Sequence, residues 1–200
     1  MKGAARPHID AMHRTMEYCV STKNRGWTLK PNRKLDGKSK DFKFKINGKA
    51  DSDFGKCPVT SKSVNGYSAF LEGVPISGKS AMQKTVAVTE SELDAGVSCA
   101  QDMLYTMRLL ESMGLQVEKP MILEIDNKGA VDIANNWSAG GRTRHIKMNF
   151  LRDLKEEGII NVRWISGVSN EADLFTKNLA GPAFNKHGSK YYGEDEYYTW

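Results

Sequence analysis

The chain has 200 residues, of which 40% are hydrophobic and 26% are charged, and it carries a formal net charge of +5. This size suits one sizeable domain with a core of its own, or two small ones, and the composition is ordinary for a soluble globular protein. The basic balance favours a polyanionic partner such as nucleic acid without requiring one.

The predicted elements begin with a short amphipathic helix over about residues 8–22, where Met12, Met16 and Val20 recur at helical spacing. The basic segment that follows, NRGWTLKPNRKLDGKSKD, predicts one short strand and a loop. We place a boundary near Lys40, so that residues 1–40 form a linking segment ahead of the main domain.

Three strands are predicted next. FKFKI alternates apolar and basic residues, as a half-exposed strand does, and NGYSAFLEG and VPISGKS predict two more strands joined by a turn at Glu72-Gly73. Alternation along FKFKI puts Asp51 on the lysine side of its strand, unless a bulge near Gly48 shifts the phase.

A long helix follows in TVAVTESELDAGVSCAQDMLYTMRLLESMG, after an opening β-branched run. Thr89, with Glu92 three residues later, forms a capping-box pattern and predicts the start of the helix, and Gly114 predicts its end. The predicted buried stripe consists of Ala95, Cys99, Met103, Met107 and Leu110.

The remaining segments alternate strands and helices. PMILEID is a near-continuous apolar strand, of the kind buried on both faces. NKGAVDIANNW predicts a short helix, RTRHIKMNFLRDLKEEG a longer one, INVRWISG a strand and NEADLFTKNL a last helix. The order β-β-β-α-β-α-α-β-α predicts an α/β fold with a mixed five-stranded sheet, three strands antiparallel and two parallel, and flanking helices.

Cysteine usage and hydropathy exclude several classes. The three cysteines, Cys19, Cys57 and Cys99, lie far apart, without a Cys-x-x-Cys pair or a histidine at zinc spacing, so reduced thiols are expected. No apolar stretch approaches the roughly 20 residues of a membrane span. MKGAARPHID lacks the apolar segment of a secretory signal, so we expect a soluble intracellular protein.

Residues 73–80, GVPISGKS, match the P-loop pattern, and MILEID would supply a strand that ends in a carboxylate. A working P-loop needs a helix that begins at its Gly-Lys-Ser, whereas the AMQKTVAVTE that follows favours extension. Pro75 also lacks an N–H where a donor would be useful. We interpret the motif as a turn between antiparallel strands; a P-loop NTPase is an alternative, which predicts ATP binding that is lost on Lys79→Ala.

Four carboxylates stand at strand ends or helix starts: Asp51 in ADSDFG, Glu92 in TESELDA, Asp126 in EIDN and Asp173 in NEADLFTK. Such positions converge at the carboxyl edge of a mixed sheet. Four neighbouring acids repel one another, and a hard divalent cation such as Mg²⁺ relieves the repulsion. Two such ions, roughly 3.5–4 Å apart, form the clamp for in-line displacement at phosphorus. For Glu92 or Asp173 alone, complementing a helix dipole is the alternative, whereas Asp126 is stronger evidence because an aspartate that closes an apolar run is costly to bury without a charge partner.

The chain resembles the ribonuclease H region of copia-type LTR retrotransposon polyproteins in six motifs: ADSDFGKC, GYSAFLEGVPISGKSAMQKTVAVTESELDA, RLLESMGL, ILEIDNKGAVDIANN, GRTRHIKMNFLRD and EADLFTKNL. The segment PHIDAMHRTMEYCVSTKNRGWTL resembles the link between the reverse transcriptase and the nuclease of such polyproteins. The resemblance implies a ribonuclease H-like domain over residues 41–181 and a C-terminal tail over residues 182–200.

The resemblance further implies that the four acids bind two Mg²⁺ ions, with Mn²⁺ as an expected substitute, and that the domain hydrolyses the RNA strand of RNA–DNA hybrids. By motif, Asp51 rather than Asp53, and Glu92 rather than Glu90, matches the family's ligands. The implied partners are the hybrid and the reverse transcriptase portion of the polyprotein. The implied compartment is the cytoplasm, with a virus-like particle or the nucleus as alternatives.

Candidate contacts to nucleic acid combine a basic patch at the start of a helix with two separate polar residues. Phosphate contacts from such a patch would position a hybrid without reading its sequence, and a solvated helix end is the alternative. The candidates are Arg142, Arg144, His145, Lys147, Lys79 and Asn127. The loop SGVSNEAD lacks the histidine that cellular and retroviral relatives carry before the last aspartate. His145 is the nearest candidate substitute, and a plain surface histidine is the favoured alternative.

The rival interpretation is non-catalytic: an inactive retroelement relic, or a module of the same fold that binds nucleic acid without cutting it. Hybrid binding without metal-stimulated cleavage would favour it. A transposase or integrase of the same fold is a further alternative, although no zinc-binding histidine–cysteine module accompanies the sequence.

Overall fold

The computed structural model of the chain describes residues 5–34, 41–53, 62–83, 88–135 and 146–192. The strands are β1 Lys43–Phe44, β2 Ile46–Asp53, β3 Val64–Leu71, β4 Val74–Met82, β5 Gln116–Val117, β6 Met121–Ile125 and β7 Ile160–Trp164. The helices are α1 Arg6–Ser21, α2 Val88–Ser112, α3 Lys128–Asn135, α4 Ile146–Glu156 and α5 Gly181–Gly188, with 3₁₀ helices at Gly167–Ser169 and Glu171–Phe175. The second 3₁₀ helix is called the Asp173 helix below.

The main sheet has five strands in the order β4-β3-β2-β6-β7. β2, β3 and β4 are antiparallel neighbours, and β6 and β7 run parallel to β2. This confirms the predicted mixed sheet. FKFKI was expected to be one strand, but it splits at Lys45, whose N–H donates to Glu72 Oε1 at 2.6 Å. The residues before the split, β1, pair with β5 in a separate parallel ladder.

The turn at Glu72-Gly73 joins β3 to β4 as predicted. Both residues have positive φ, 53° and 80°, which is the backbone of a two-residue hairpin whose twist matches the strands. Every residue from Val74 to Met82 is then in β4, so Lys79 lies within a strand rather than at the start of a helix. The helix that a phosphate-binding loop requires is therefore replaced by a sheet edge.

Helix α2 packs on one face of the sheet and forms the core with it. The predicted stripe is buried throughout, from Ala95 to Leu110. Gly48 of β2 lets the helix approach closely, because a Cβ there would overlap Cys99 Sγ and lie 2.6 Å from Met103 Sδ. The described part of the helix already includes Val88, one residue before the predicted cap, and Gly114, with φ of 80°, follows its end as predicted.

The Asp173 helix replaces the longer last helix that the sequence predicted in NEADLFTKNL, and α5 is a further helix that the sequence did not predict. Asn170 Oδ1 accepts from the N–H of Ala172 at 3.2 Å and begins a tight 3₁₀ turn, which the bond from the N–H of Thr176 to the carbonyl of Asp173 closes at 3.3 Å. The chain then runs without regular structure to α5, inside the predicted tail, where Pro182 lies in the first turn. Contacts to the sheet, described below, stabilise the tighter turn.

The N-terminal segment is largely exposed, although its second half is hydrogen-bonded to the rest of the chain. Helix α1 is exposed along its length. Beyond it, the N–H of Thr28 donates to the carbonyl of Tyr191 at 3.0 Å and the N–H of Asn32 to that of Glu72 at 2.7 Å. Residues 24–34 form no strand, because these bonds reach separate partners; the boundary at Lys40 lies outside the described residues. Among the described helices, none has both the length and the apolarity to cross a bilayer.

Candidate active site

The fold brings three of the four predicted acids together. Asp51, Asp126 and Asp173 each offer a carboxylate oxygen, and these oxygens all lie within 4.8 Å of one another. The parallel pairing of β2 with β6 explains two of them, because Ala50 is paired with Ile125 and the next residue on each strand is an aspartate. We call this group the three-aspartate cluster.

Asp51 lies on the same side of β2 as Lys49, as simple alternation predicts. The pairing of β2 with β3 is continuous from Ile46 to Asp53, so no bulge shifts the phase. Asp51 is nevertheless only 1% exposed, because the Asp173 helix covers this side of the sheet. Its partner on β3 is Gly66, where a Cβ would lie 2.6 Å from Phe175 Cβ.

The Asp173 helix is fixed to β2 by polar contacts, of which that of Asn170 is buried. Asn170 is fully buried, and its Nδ2 donates to the carbonyl of Ala50 at 3.0 Å. Lys49 Nζ donates to the carbonyl of Ser169 at 2.9 Å and forms an ion pair with Glu171. These contacts join the residues before Asp51 to the residues before Asp173, and they set the separation of the two carboxylates.

Glu92, the fourth predicted acid, lies in the first turns of α2 and is only 4% exposed. It is not a member of the three-aspartate cluster. Burial, together with the charges of Asp51 and Asp126, raises its pKa to about 9. Glu92 Oε2 is buried without a hydrogen-bond partner in the described part of the chain. A buried oxygen without a hydrogen-bond partner is costly, and a metal ion bound there would supply the missing contact.

The pKa values of two of the aspartates are also raised. Burial and the charge of Asp51 raise the pKa of Asp126 to about 6, against the opposing effect of Lys177. Burial also raises the pKa of Asp173, although its hydrogen bond from Lys177 acts in the opposite direction. Both shifts have the direction expected of acids that crowd together in a partly dry site.

A lysine that sequence reasoning missed lies among these acids. Lys177 Nζ is 2.7 Å from Asp173 Oδ1, 3.0 Å from Asp51 Oδ1 and 3.8 Å from Asp126 Oδ2. Thr176 Oγ1 donates to the other oxygen of Asp51. The sequence carries one usable signal for Lys177, its position four residues after Asp173, but that spacing is common on helix surfaces.

The backbone at Asp126 and directly after it is also held. Trp164 Nε1 donates to the carbonyl of Asp126 at 3.0 Å, and Asn127 Oδ1 caps α3 by accepting from the N–H of Ala130 at 3.0 Å. Lys128 Nζ lies 4.9 Å from the centre of the Trp164 ring. The exposed indole of Trp164, with the ammonium of Lys128 above it, therefore lies beside Asp126. Neither Trp164 nor Lys128 was identified from the sequence.

His187 is a second residue that the sequence did not identify. It lies in α5 and is buried, and its charge acts to lower the pKa of Asp173. The sequence had assigned this stretch to the tail, so a histidine near the last aspartate was expected only from His145, which lies outside the described residues.

Of the predicted contacts to nucleic acid, Lys79 is the clearest in position. It is exposed on the edge strand β4, directly across from Tyr67, whose hydroxyl donates to Asp102 of α2 at 2.8 Å. Lys79 therefore lies on the α2 face of the sheet, opposite to the face of Asp51. Arg142 and Arg144 lie outside the described residues. The backbone of Lys147 is described and lies in α4, but its side chain is not described.

The donor set of the site fits a divalent metal. It consists of carboxylate oxygens, which are hard ligands of the kind that Mg²⁺ prefers. The site attracts positive charge, because the ammonium of Lys177 already lies between the aspartates. Glu92 Oε2 has no hydrogen-bond partner among the described residues. The residues able to hold such an ion are Asp51, Glu92, Asp126 and Asp173.

Comparison with known proteins adds relatives of much greater length. The chain is similar to the retrovirus-related Pol polyprotein from transposon RE1 of Arabidopsis thaliana, with 29% identity over 187 residues, which are 92% of this chain and 12% of that polyprotein. It is also similar to the retrovirus-related Pol polyprotein from transposon TNT 1-94 of Nicotiana tabacum, with 31% identity over 136 residues. Those residues are 66% of this chain and 10% of that polyprotein. The chain thus spans a small part of the curated relatives it matches. No protein-family model matches it.

Among solved structures, the chain is similar to LC11-RNase H1 in complex with an RNA/DNA hybrid, with a TM-score of 0.51 and 16% identity over 66% of this chain and 94% of that one. A second structure of LC11-RNase H1, isolated from compost, has a TM-score of 0.52 and 18% identity, over 71% of this chain and 96% of that one. The chain therefore has the ribonuclease H-like fold that the sequence predicted.

Proposed function

We propose that this chain, a ribonuclease H-like domain related to the Pol polyproteins of copia-type transposons, hydrolyses the RNA strand of RNA–DNA hybrids in a metal-dependent reaction. The observation that carries the proposal is the three-aspartate cluster, whose oxygens lie within 4.8 Å of one another beside the unpartnered oxygen of Glu92. The substrate class is supported by the hybrid bound to LC11-RNase H1, a protein of the same fold.

In this proposal the four acids, Asp51, Glu92, Asp126 and Asp173, hold two Mg²⁺ ions, or Mn²⁺ in their place. Bound there, the ions would supply an activated water and would stabilise the charge of the leaving oxygen. The products would be a 3′-hydroxyl and a 5′-phosphate. The other expected partner is the reverse transcriptase portion of the polyprotein.

The chain's own contribution is to hold the acids before the substrate arrives. Thr176 fixes one oxygen of Asp51, Asn170 fixes the Asp173 helix, and Trp164 fixes the backbone of Asp126. Groups held in this way do not have to be ordered during the reaction, and this pre-organisation lowers the barrier. The basic patch at residues 142–147 and Lys128 are proposed to contact phosphates of the hybrid.

The test is a cleavage assay on a hybrid with an end-labelled RNA strand, in Mg²⁺, in Mn²⁺ and in chelator. Double-stranded DNA and double-stranded RNA of the same sequence are the substrate controls. The proposal predicts internal RNA cuts in the hybrid with either metal, none in chelator and none in the two controls. Uncut hybrid in both metals would contradict it.

A second candidate, a module that binds hybrid without cutting it, is favoured by one observation. Lys177 already neutralises part of the charge that a metal would neutralise. This candidate predicts that the same hybrid is retained in a filter-binding or gel-shift assay while neither metal releases any product.

A further inference from the structure

The ammonium of Lys177 occupies a position among the acids that the proposed reaction leaves unexplained. We infer that Lys177 is a built-in cation that holds the three-aspartate cluster together before a metal binds, and that the metal must displace it. The inference rests on the proposed function, because it assigns a metal to these oxygens.

The geometry makes Lys177 a shared partner rather than one half of a simple ion pair. Its Nζ lies 2.7 Å from Asp173 Oδ1 and 3.0 Å from Asp51 Oδ1, with Asp126 Oδ2 at 3.8 Å. An ammonium carries three N–H donors, so a single lysine can serve several carboxylates at once. Lys177 thereby meets every member of the cluster.

The ammonium and a metal compete for the same atoms. A hard divalent cation binds through carboxylate oxygens, and the oxygens nearest to Lys177 belong to the residues proposed as ligands. Lys177 Nζ lies within hydrogen-bond distance of oxygens of Asp51 and Asp173 that a metal would contact, so the ammonium and the metal need the same space and binding of the metal opposes contact with Lys177. Three carboxylates against one ammonium leave an excess of negative charge, which favours a divalent ion.

The structure gives Lys177 a route out of the site. Its side chain is 28% exposed, whereas that of Asp51 is 1% exposed. The lysine stem has four flexible carbons, so the ammonium can move to solvent while the backbone stays in place. The N–H of Lys177 donates to the carbonyl of Asp173 at 2.9 Å, and Thr176 holds Asp51 independently of Lys177. The backbone at Asp173 and the carboxylate of Asp51 therefore stay in place while the metal replaces the ammonium.

The test compares Mg²⁺ binding by the wild-type chain, Lys177→Met and Lys177→Arg in isothermal titration calorimetry, with melting temperatures in chelator and in Mg²⁺. Lys177→Met keeps most of the stem and removes the charge, whereas Lys177→Arg keeps a charge. The control is Lys190→Met, an exposed lysine near α5. None of these measurements depends on cleavage.

Lys177→Met is expected to bind Mg²⁺ with a dissociation constant about tenfold lower than wild type, a change of about 1.4 kcal/mol. It is also expected to melt at a lower temperature in chelator and to regain the difference in Mg²⁺, whereas Lys177→Arg and Lys190→Met behave like the wild type. A Lys177→Met protein that folds only in Mg²⁺ would support the inference equally.

Mg²⁺ binding by Lys177→Met that is equal to or weaker than that of the wild type would overturn this inference alone. If neither protein bound Mg²⁺ or Mn²⁺, the proposed function would lose its metal, and this inference would be overturned with it.

Discussion

Asp51 of β2 is paired directly across the sheet with Gly66 of β3, and the missing side chain at Gly66 is what allows the Asp173 helix to reach Asp51. A Cβ at Gly66 would lie 2.6 Å from Phe175 Cβ and from Thr176 Cγ2, and 3.1 Å from the Phe175 carbonyl carbon. The Cβ and the carbonyl carbon of Phe175 are fixed to the backbone of the Asp173 helix, so a side chain at Gly66 would displace the whole helix.

Gly66→Ala is therefore expected to destabilise the fold by about 1–3 kcal/mol, the usual cost of overpacking, and to lower cleavage more than the loss of folded protein explains. Gly26→Ala is the control, since a Cβ at Gly26 meets nothing within 4 Å. Urea unfolding gives the stability and the hybrid assay gives the activity. Equal activity per folded molecule in both variants would contradict the role given to Gly66.

Asn170 is predicted to act on the reaction by positioning Asp173. Asn170→Ala removes the hydrogen bond to the carbonyl of Ala50 and the cap on Ala172, and it leaves buried backbone groups unpaired at a cost of about 1–3 kcal/mol. We expect kcat to fall by about tenfold or more and Mg²⁺ to bind more weakly, with KM for the hybrid little changed. Asn178→Ala, at an exposed site just beyond the Asp173 helix, is the control. A change in KM alone would argue that Asn170 contacts the substrate instead.

The raised pKa of Glu92 predicts how stability without metal depends on pH. The folded chain keeps Glu92 protonated up to about pH 9, whereas the unfolded chain releases that proton near the ordinary value of 4.5. Its contribution to stability is therefore complete below about pH 4.5 and is lost as the pH rises towards 9. In chelator, Glu92→Gln should melt at the wild-type temperature at pH 4.5 and above it at pH 8.

Glu90→Gln, a change in the same turn of α2, is the control for this prediction and should leave the pH profile unchanged. Melting curves in chelator from pH 4.5 to 9 provide the measurement. Parallel profiles for the wild type and Glu92→Gln would mean that Glu92 is not held protonated in the fold.

The linking segment is predicted to stabilise the domain through Arg33. Burial by itself would raise the pKa of Glu72, but the hydrogen bond from Arg33 and that from the N–H of Lys45 outweigh it and hold the pKa below its ordinary value. The stabilisation is present above pH 4.5 and is lost as the pH falls through the lowered pKa. Arg33→Met should therefore lower the melting temperature at pH 7 and have less effect at pH 3.

Lys30→Met, at an exposed position of the same segment, is the control for Arg33→Met. A chain cut to residues 41–200 should also melt below the full chain at pH 7, since it leaves the carboxylate of Glu72 without Arg33. Equal stability of the cut and full chains would mean that the segment packs on the domain without stabilising it.

The sequence predicted the parts of the site that depend on local pattern. Asp126 ends an apolar run and Asp51 comes late in the first strand, so the strand pattern placed both at the carboxyl edge of the sheet, whereas the choice of Asp51 over Asp53 came from the family motif. Thr176 and Lys177 could not be found in this way, because Thr176 meets Asp51 across 125 residues of chain. The prediction of a longer last helix was wrong for the same reason. The geometry of this segment depends on tertiary contacts made by Asn170 and at Gly66, not on helix propensity.

The most direct test of the central claim, that the acids at this sheet edge perform the hydrolysis, is hybrid cleavage by Asp126→Asn beside Asp132→Asn. Both remove one carboxylate, but Asp132 is exposed on α3 and lies outside the three-aspartate cluster. We predict that Asp126→Asn loses activity by at least about 100-fold with an unchanged circular dichroism spectrum, whereas Asp132→Asn cuts like the wild type. Cleavage by Asp126→Asn at the wild-type rate would contradict the account.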